Sequence, residues 1–226
     1  MGGSAATYTF HFDVVWKNLG FLLSGVQLTL LVTVAALSSG ALLGLFIALA
    51  RMSPRRWLQV PAIGYIEIFR NTPALIQLMW VYYCLPILAG VEMSAGVSAT
   101  MALAVNGAAY IAEIIRGGIQ GVDRGQVEAA RTLGMSHIQT MRKVVLPQAF
   151  RRMIPPFVNE SVSILKFSSL VSVLGVADLT YQATVLSTTT FRPIEIFTFI
   201  ALVYLVLCSA LAYFARRLEL RLSVSD

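Results

Sequence analysis

The chain has 226 residues, of which 57% are hydrophobic and only 12% charged, with a net charge of +6. A soluble domain carries about 25% charged residues, so this composition indicates a membrane protein. The basic residues lie beside apolar segments, which is a membrane-topology pattern and argues against a nucleic-acid-binding surface.

Neither the cysteines nor the histidines form a pattern typical of a metal site. Cys84 and Cys208 both lie in apolar surroundings, which favours structural thiols over a disulfide or a metal site. His11 and His137 have no companion ligands at a useful spacing. We therefore assign no metal and no cofactor to the chain. Residues 1–12 have no basic stretch before an apolar core, so we expect no cleaved signal peptide.

Five apolar segments are long enough to cross a membrane, which takes about 20 residues of helix. They cover residues of about 19–50, 57–87, 96–116, 152–176 and 194–215. We expect helices, because unpaired backbone groups are too costly in lipid and no alternating barrel pattern is present. The sequence therefore predicts an all-α, polytopic membrane protein whose single transmembrane domain takes in residues 1–226. Gly40 and Gly44 predict close helix packing, for which contact within the chain is favoured over the alternative of a dimer seam.

Most basic residues fall on one side of these spans. They lie in the turn at residues 51–56, in a polar connection at about 117–151 and in the tail from residue 216. The positive-inside rule places these regions in the cytoplasm. Because the number of spans is odd, we expect the N-terminus outside and the C-terminus in the cytoplasm.

The polar connection is expected to form a small projecting knob of two helices. Residues 123–133 favour a helix that Gly134 ends. Ser136 is suited to cap a second helix, which would run through Arg142 and stop before Pro147. From the residues alone, this knob is either a docking site for a partner or a surface loop that fits only its own protein.

The second span carries polar residues that need an explanation at membrane depth. Glu67 and Arg70 share a helix face, so they either neutralise each other or lie near a pathway or gate. Pro73 follows Asn71 and Thr72, and a proline removes a backbone donor. We predict a kink at Pro73 that serves as a hinge beside Asn71.

The fourth span is unusually polar, with Asn159, Glu160, Ser163 and Lys166. Glu160 and Lys166 are separated by about 9 Å along a helix and by about 120° around it, so they are not expected to pair directly. Each needs a partner elsewhere or water, which favours a helix facing a wet cavity. These four residues, together with Asn71, are our candidates for a substrate pathway.

Several ordered motifs resemble those of one transporter family. Glu128, Ala129, Ala130, Gly134, Leu146 and Pro147 resemble the EAA motif of membrane subunits of bacterial ABC importers, with Val144 in place of the usual isoleucine. Residues 70–73 with Gln77 and Leu85-Pro86 resemble the second-span signature of the polar amino acid permeases, and residues 110–120 resemble their lead-in to the loop. Residues 166–170 are also similar, with Phe167 in place of an acid. The resemblance covers residues of about 20–217.

The resemblance implies a type I importer permease with five helices in a bacterial inner membrane. The knob would be the coupling helix, seated in a groove of a cytoplasmic ATP-binding subunit. The transporter would contain two such subunits, which bind ATP and Mg. A second permease chain, identical or homologous, would complete the pathway, and a periplasmic or lipid-anchored binding protein would deliver a polar amino acid. The chain has no phosphate-binding loop of its own, so we expect no ATPase activity in it.

Three other classes of function compete with this reading. A subunit of an ion-gradient-driven transporter or channel would account for Glu160 and Lys166, but no inverted repeat is apparent and the knob would lack a purpose. A membrane enzyme would need a nucleophile with its base or a set of metal ligands, and neither is evident. A scaffold without transport would not need the polar fourth span.

Overall fold

The computed structural model describes residues 8–223, with side chains through residue 217, and contains no strand in that range. The predicted all-α class is confirmed. Two π-helical turns, Trp80–Cys84 and Met141–Val145, join neighbouring helices without a loop, and a 3₁₀ segment, Ser168–Leu174, extends the helix before it. The α-helices are α1 Asp13–Lys17, α2 Leu19–Arg51, α3 Arg56–Asn71, α4 Ala74–Met79, α5 Leu85–Ala89, α6 Ala95–Gln120, α7 Arg124–Thr132, α8 His137–Thr140, α9 Leu146–Phe167, α10 Leu179–Thr190 and α11 Pro193–Ser223.

Four helical segments of the described residues are long and apolar enough to cross a membrane, and a bent pair of helices makes a fifth if the pair counts as one span. The pair α3 and Ala74–Ala89 meets at 110°. The fourth helical run begins at His137, and α6 continues to Gln120. Helix therefore occupies much of the connection that the sequence assigns to residues 117–151.

Helices α2 and α6 approach each other closely. A Cβ atom added at Gly40 would lie 2.9 Å from the carbonyl oxygen of Ala104, and one at Gly44 would lie 2.9 Å from that of Ala108. No real Cβ tolerates that separation from a backbone oxygen. Gly40 and Gly44 thus let the two backbones touch, which confirms the prediction of packing within the chain.

The two ends of the bundle differ in character. At one end, called the basic end here, α2 finishes at Arg51, α6 leads into α7, and α11 carries Arg216 and Arg217. At the opposite end, α1 and α10 pack against α2 and α11 through buried Val15, Leu179 and other apolar side chains.

Two Leu-Pro pairs lie inside continuous helix, and each follows a π turn. Proline normally breaks a helix because it lacks an N–H and clashes with the carbonyl four residues back. Before Pro147, however, the N–H of Leu146 donates to the carbonyl of Met141, five residues back, so the turn is already widened. Leu85-Pro86 has the same arrangement. The prediction that the second helix of the knob stops before Pro147 is wrong for this reason.

Candidate functional site

The knob at the basic end consists of α7 and α8, joined by a sharply turned link. Asp123 caps α7 by accepting a 2.6 Å hydrogen bond from the Gly125 N–H. Gly134 ends it with a φ of +78°, a left-handed conformation that favours glycine. Ser136 then forms a capping box with Gln139, which starts α8. The predicted end at Gly134 and the predicted cap at Ser136 are confirmed.

The knob presents a mixed polar and apolar surface to solvent. Glu128 and Ala129 are exposed, whereas Ala130 is buried. Leu133 and Ile138 are large apolar side chains that are 82% and 70% exposed. Apolar side chains so exposed, beside a carboxylate, are typical of a surface that binds another protein.

A buried cluster fixes the knob to the two long helices below it. Val145 and Ala149 pack against Val122, with Val127 of α7 and Met153 of α9 at the edge of the cluster. A displacement of α7 would therefore be passed directly to α6 and α9. Leu146 and Pro147 are exposed where the π turn runs into α9, outside this cluster.

The second span is broken rather than kinked at Pro73. Helix α3 ends at Asn71, Thr72 and Pro73 have extended backbones, and α4 begins at Ala74. The structure places Asn71 at this break with its side chain exposed, donating a 2.9 Å hydrogen bond to Glu67. The break gives Pro73 the geometry of a hinge, and its function as a hinge remains a prediction.

Glu67 and Arg70 do not neutralise each other. Glu67 accepts the bond from Asn71, while Arg70 Nη1 lies 3.9 Å from Glu113 Oε2 on α6. The Arg70 guanidinium also lies 5.4 Å from the centroid of the Tyr110 ring. The structure therefore does not support direct pairing of Glu67 with Arg70, and a role near a pathway or gate remains a prediction.

Glu113 lies at the centre of an arginine cluster. Its carboxylate is 2.6 Å from Arg51 Nη1 and 2.9 Å from Arg116 Nη2, in addition to Arg70. The side chain is only 16% exposed, so these ion pairs are partly shielded from water. The cluster joins α2, α3 and α6 at one point.

A cavity of about 370 Å³ opens between α3, α6 and α9. Its lining includes Arg70, Tyr110, Glu113, Arg152 and Glu160. Glu160 is only 9% exposed, and its Oε1 atom has no hydrogen-bond partner among the described residues. A buried carboxylate oxygen without a partner costs several kcal/mol, so this geometry suits a carboxylate that receives a ligand or water.

Lys166 and Glu160 line different cavities. Lys166 lines a groove of about 690 Å³ between α9 and α11, together with Tyr204 and Cys208. Ser163 and Asn159 are on the exposed side of α9, where Ser163 donates to the Asn159 carbonyl. The structure therefore bears out that Glu160 and Lys166 form no direct pair, and it does not bring the five pathway candidates to one pocket.

Sequence reasoning did not identify Asn106 or the central position of Glu113. Asn106 is a buried amide in the middle of α6, bonded to Gln77 of α4. Its signal was a lone polar side chain at the centre of an apolar span, which is costly in lipid unless paired. Glu113 lies near the end of the third span, and its spacing in the sequence does not reveal Arg51 and Arg70 as partners because they lie on other helices.

Comparisons with known proteins agree on one family. Residues 40–224 match the profile of the binding-protein-dependent transport system inner membrane component family. A probable amino-acid ABC transporter permease, YckA, of Bacillus subtilis is 37% identical, over 94% of this chain and 93% of its own. The glutamine transport system permease GlnP of Escherichia coli is 35% identical, over 95% of this chain and 99% of its own.

Solved structures give the same result. A crystal structure of an amino acid ABC transporter with histidines contains a chain that is 42% identical, with a TM-score of 0.90, covering 95% of this chain and 100% of that one. The inward-facing MetNI methionine ABC transporter has a TM-score of 0.76 at 21% identity, over 91% of this chain and 98% of that one, which shows a shared fold.

Proposed function

Because the chain belongs to the family of binding-protein-dependent transport system inner membrane components, it is a multi-pass permease subunit of an amino-acid ABC importer, and we propose that its substrate passes beside Glu160. The chain is not itself an enzyme, since separate ATPase subunits hydrolyse ATP in this family. This membership decides against an ion-gradient-driven transporter, a membrane enzyme and a scaffold.

The basic end faces the cytoplasm in this proposal. Positive charge concentrates there, at Arg51 and its neighbours, in the knob and in the tail. An odd number of crossings then leaves the N-terminal segment outside the inner membrane. The knob consequently lies on the side where ATP is available.

Two ATP-binding subunits dock on two knobs, one from each permease chain, and hold ATP and Mg themselves. Glu128 and Ala129 offer a charge and a close approach, while exposed Leu133 and Ile138 supply apolar contact. Gly134 keeps the bend between the helices. Closure of the ATPase subunits moves the knob, and the cluster around Val145 carries the movement to α6 and α9.

A second permease chain, identical or homologous, covers the exposed polar side of the fourth span. Asn159, Ser163 and Lys166 line that side, and polar groups at membrane depth are too costly to face lipid. A periplasmic or lipid-anchored binding protein delivers the substrate to the space between the two chains. Asn71, at the break of the second span, follows Arg70 in the chain, and Arg70 lines the cavity beside which the substrate passes.

The observation that carries the pathway is the unpaired Oε1 atom of Glu160 in its cavity. A carboxylate there suits the ammonium group of an amino acid, and Arg70 and Arg152 in the same lining suit its carboxylate. A polar amino acid satisfies both kinds of charge at once. Similar proteins include the glutamine transport system permease GlnP of Escherichia coli and the arginine transport system permease ArtQ of Bacillus subtilis, which agrees with this class.

The test is ATP-driven amino acid uptake into proteoliposomes that contain the permease with its ATPase and binding protein. A charge-assisted hydrogen bond contributes about 1.5–3 kcal/mol, so Glu160→Gln is expected to raise the KM for uptake about ten-fold or more. Asp13→Asn is the control, because Asp13 is exposed and bonded to Lys17 outside the spans. An unchanged KM in Glu160→Gln would remove Glu160 from the pathway.

A further inference from the structure

The break in the second span leaves backbone carbonyls without their usual partners. In a continuous helix, the Phe69 carbonyl would accept from the N–H four residues later, which is the position of Pro73. Proline has no N–H, so this partner does not exist. An unpaired carbonyl at membrane depth is costly, and something else must satisfy it.

Gln77 supplies the missing donors from the next helix. Its Nε2 atom lies 2.9 Å from the Phe69 carbonyl oxygen, 3.0 Å from that of Thr72 and 2.6 Å from Thr72 Oγ1. Thr72 Oγ1 in turn donates to the Ile68 carbonyl at 2.8 Å. One side chain of α4 thus closes the end of α3 and fixes the direction in which the chain leaves it.

Asn106 attaches this arrangement to α6. Its Nδ2 atom donates to Gln77 Oε1 at 2.9 Å and lies 3.3 Å from the Phe69 carbonyl oxygen. Gln77 and Asn106 are 8% and 4% exposed, so water does not compete for these bonds. The break therefore has two supports, one from α4 and one from α6.

We propose that Gln77 and Asn106 are positioning residues that hold the break at Pro73 at a fixed angle, in place of the hinge predicted there, and make it move as one body with α6. Helix α6 leads directly into the knob, so movement at the knob reaches Asn71 and Arg70 through this pair of amides. The part of the proposal that concerns transport rests on the proposed function, whereas the fixed angle does not.

The angle is tested by electron paramagnetic resonance on the full transporter. Cys84 and Cys208 are first replaced by Ser. Trp57, near the start of α3, and Ile87, in α5, are then replaced by Cys, so that spin labels can be attached at these exposed positions on either side of the break. With Gln77 and Asn106 unchanged, the distance between the two labels is expected to show one narrow distribution. Gln77→Leu removes the donors and is expected to broaden it about two-fold, since the carbonyls then seek other partners. A distribution that stays narrow in Gln77→Leu overturns the fixed angle.

Uptake per ATP hydrolysed distinguishes positioning from simple folding. Gln77→Leu and Asn106→Leu are each expected to lower this ratio about ten-fold, equivalent to about 1.4 kcal/mol, while ATP hydrolysis continues. Because the two amides act as a unit, the double variant is expected to match the single ones rather than multiply their effects. Gln59→Leu, the same change in α3, is the matched control with no expected effect. A ratio unchanged in both single variants overturns the positioning role.

If Gln77→Leu fails to fold, a second variant tests the proposal. Pro73→Ala restores an N–H at the position that the Phe69 carbonyl would use in a continuous helix. Adding it to Gln77→Leu is expected to recover assembly, with a longer distance between the labels because the span straightens. No recovery would contradict the account of the missing donor. Failure of uptake in the unaltered transporter would instead contradict the proposed function, with the label distances unaffected.

Discussion

Arg51, at the last turn of α2, forms an ion pair with Glu113 of α6, with 2.6 Å between Arg51 Nη1 and Glu113 Oε1. Helices α2 and α6 are therefore in contact both at Gly40 and Gly44 and, through this ion pair, at the basic end. Arg116 and Arg70 approach the same carboxylate. One acid thus compensates several cations that would otherwise repel each other where three helices meet.

Removal of the Glu113 charge is expected to destabilise the bundle. Glu113→Gln leaves partly buried guanidinium groups without their anion, and breaking such a pair costs about 3 kcal/mol. We expect a lower thermal unfolding midpoint for the purified protein in detergent. Glu92→Gln is the control, because Glu92 is exposed in the link between α5 and α6. Equal midpoints for the two variants would show that the cluster does not stabilise the fold.

The glycine contact between α2 and α6 is tested by the same substitution at two places on one helix. Gly40→Ala places a methyl group 2.9 Å from the Ala104 carbonyl oxygen, so it is expected to destabilise the protein by about 1–3 kcal/mol. Gly20→Ala meets no atom within 4 Å and is expected to stabilise α2 by up to about 1 kcal/mol. The measurement is the unfolding midpoint of both variants. A Gly40→Ala protein as stable as Gly20→Ala would refute the close approach.

The topology is tested by labelling cells with a membrane-impermeant maleimide, using protein whose Cys84 and Cys208 are replaced by serine. Asp13→Cys is expected to react in cells whose outer membrane has been made permeable and whose inner membrane is still closed. Leu133→Cys, on the exposed tip of the knob, is expected to react only after the inner membrane is opened. The reverse pattern would invert the orientation that the positive-inside rule gives.

The sequence was sufficient for what depends on composition and local signals. Apolar length predicted the four spanning helices and the bent pair, and Gly134 and Ser136 predicted the turn between the two helices of the knob, because capping is a property of a few neighbouring residues. Gly40 and Gly44 gave the close packing of α2, since only small residues permit it.

Contacts between distant segments could not be predicted in this way. The partners of Glu113 and of Asn106 are on other helices, so no local spacing reveals them. The course of the helix through Pro147 depends on a π turn, which has no clear sequence signal, and the proline rule therefore predicted a stop. Glu67 and Arg70 have the right spacing for a pair, yet Glu67 accepts a hydrogen bond from Asn71, and Arg70 lies beside Glu113.

The most direct test of the central claim is ATP-driven uptake by permease with its ATPase and binding protein, comparing Glu128→Lys with Asp13→Lys. Charge reversal at a docking surface costs several kcal/mol, so Glu128→Lys is expected to weaken ATPase assembly and to lower uptake about ten-fold or more. Asp13→Lys makes the same reversal at the opposite end and is expected to leave both intact. Normal assembly and uptake in Glu128→Lys would contradict the assignment of the knob as the point where ATP hydrolysis drives transport.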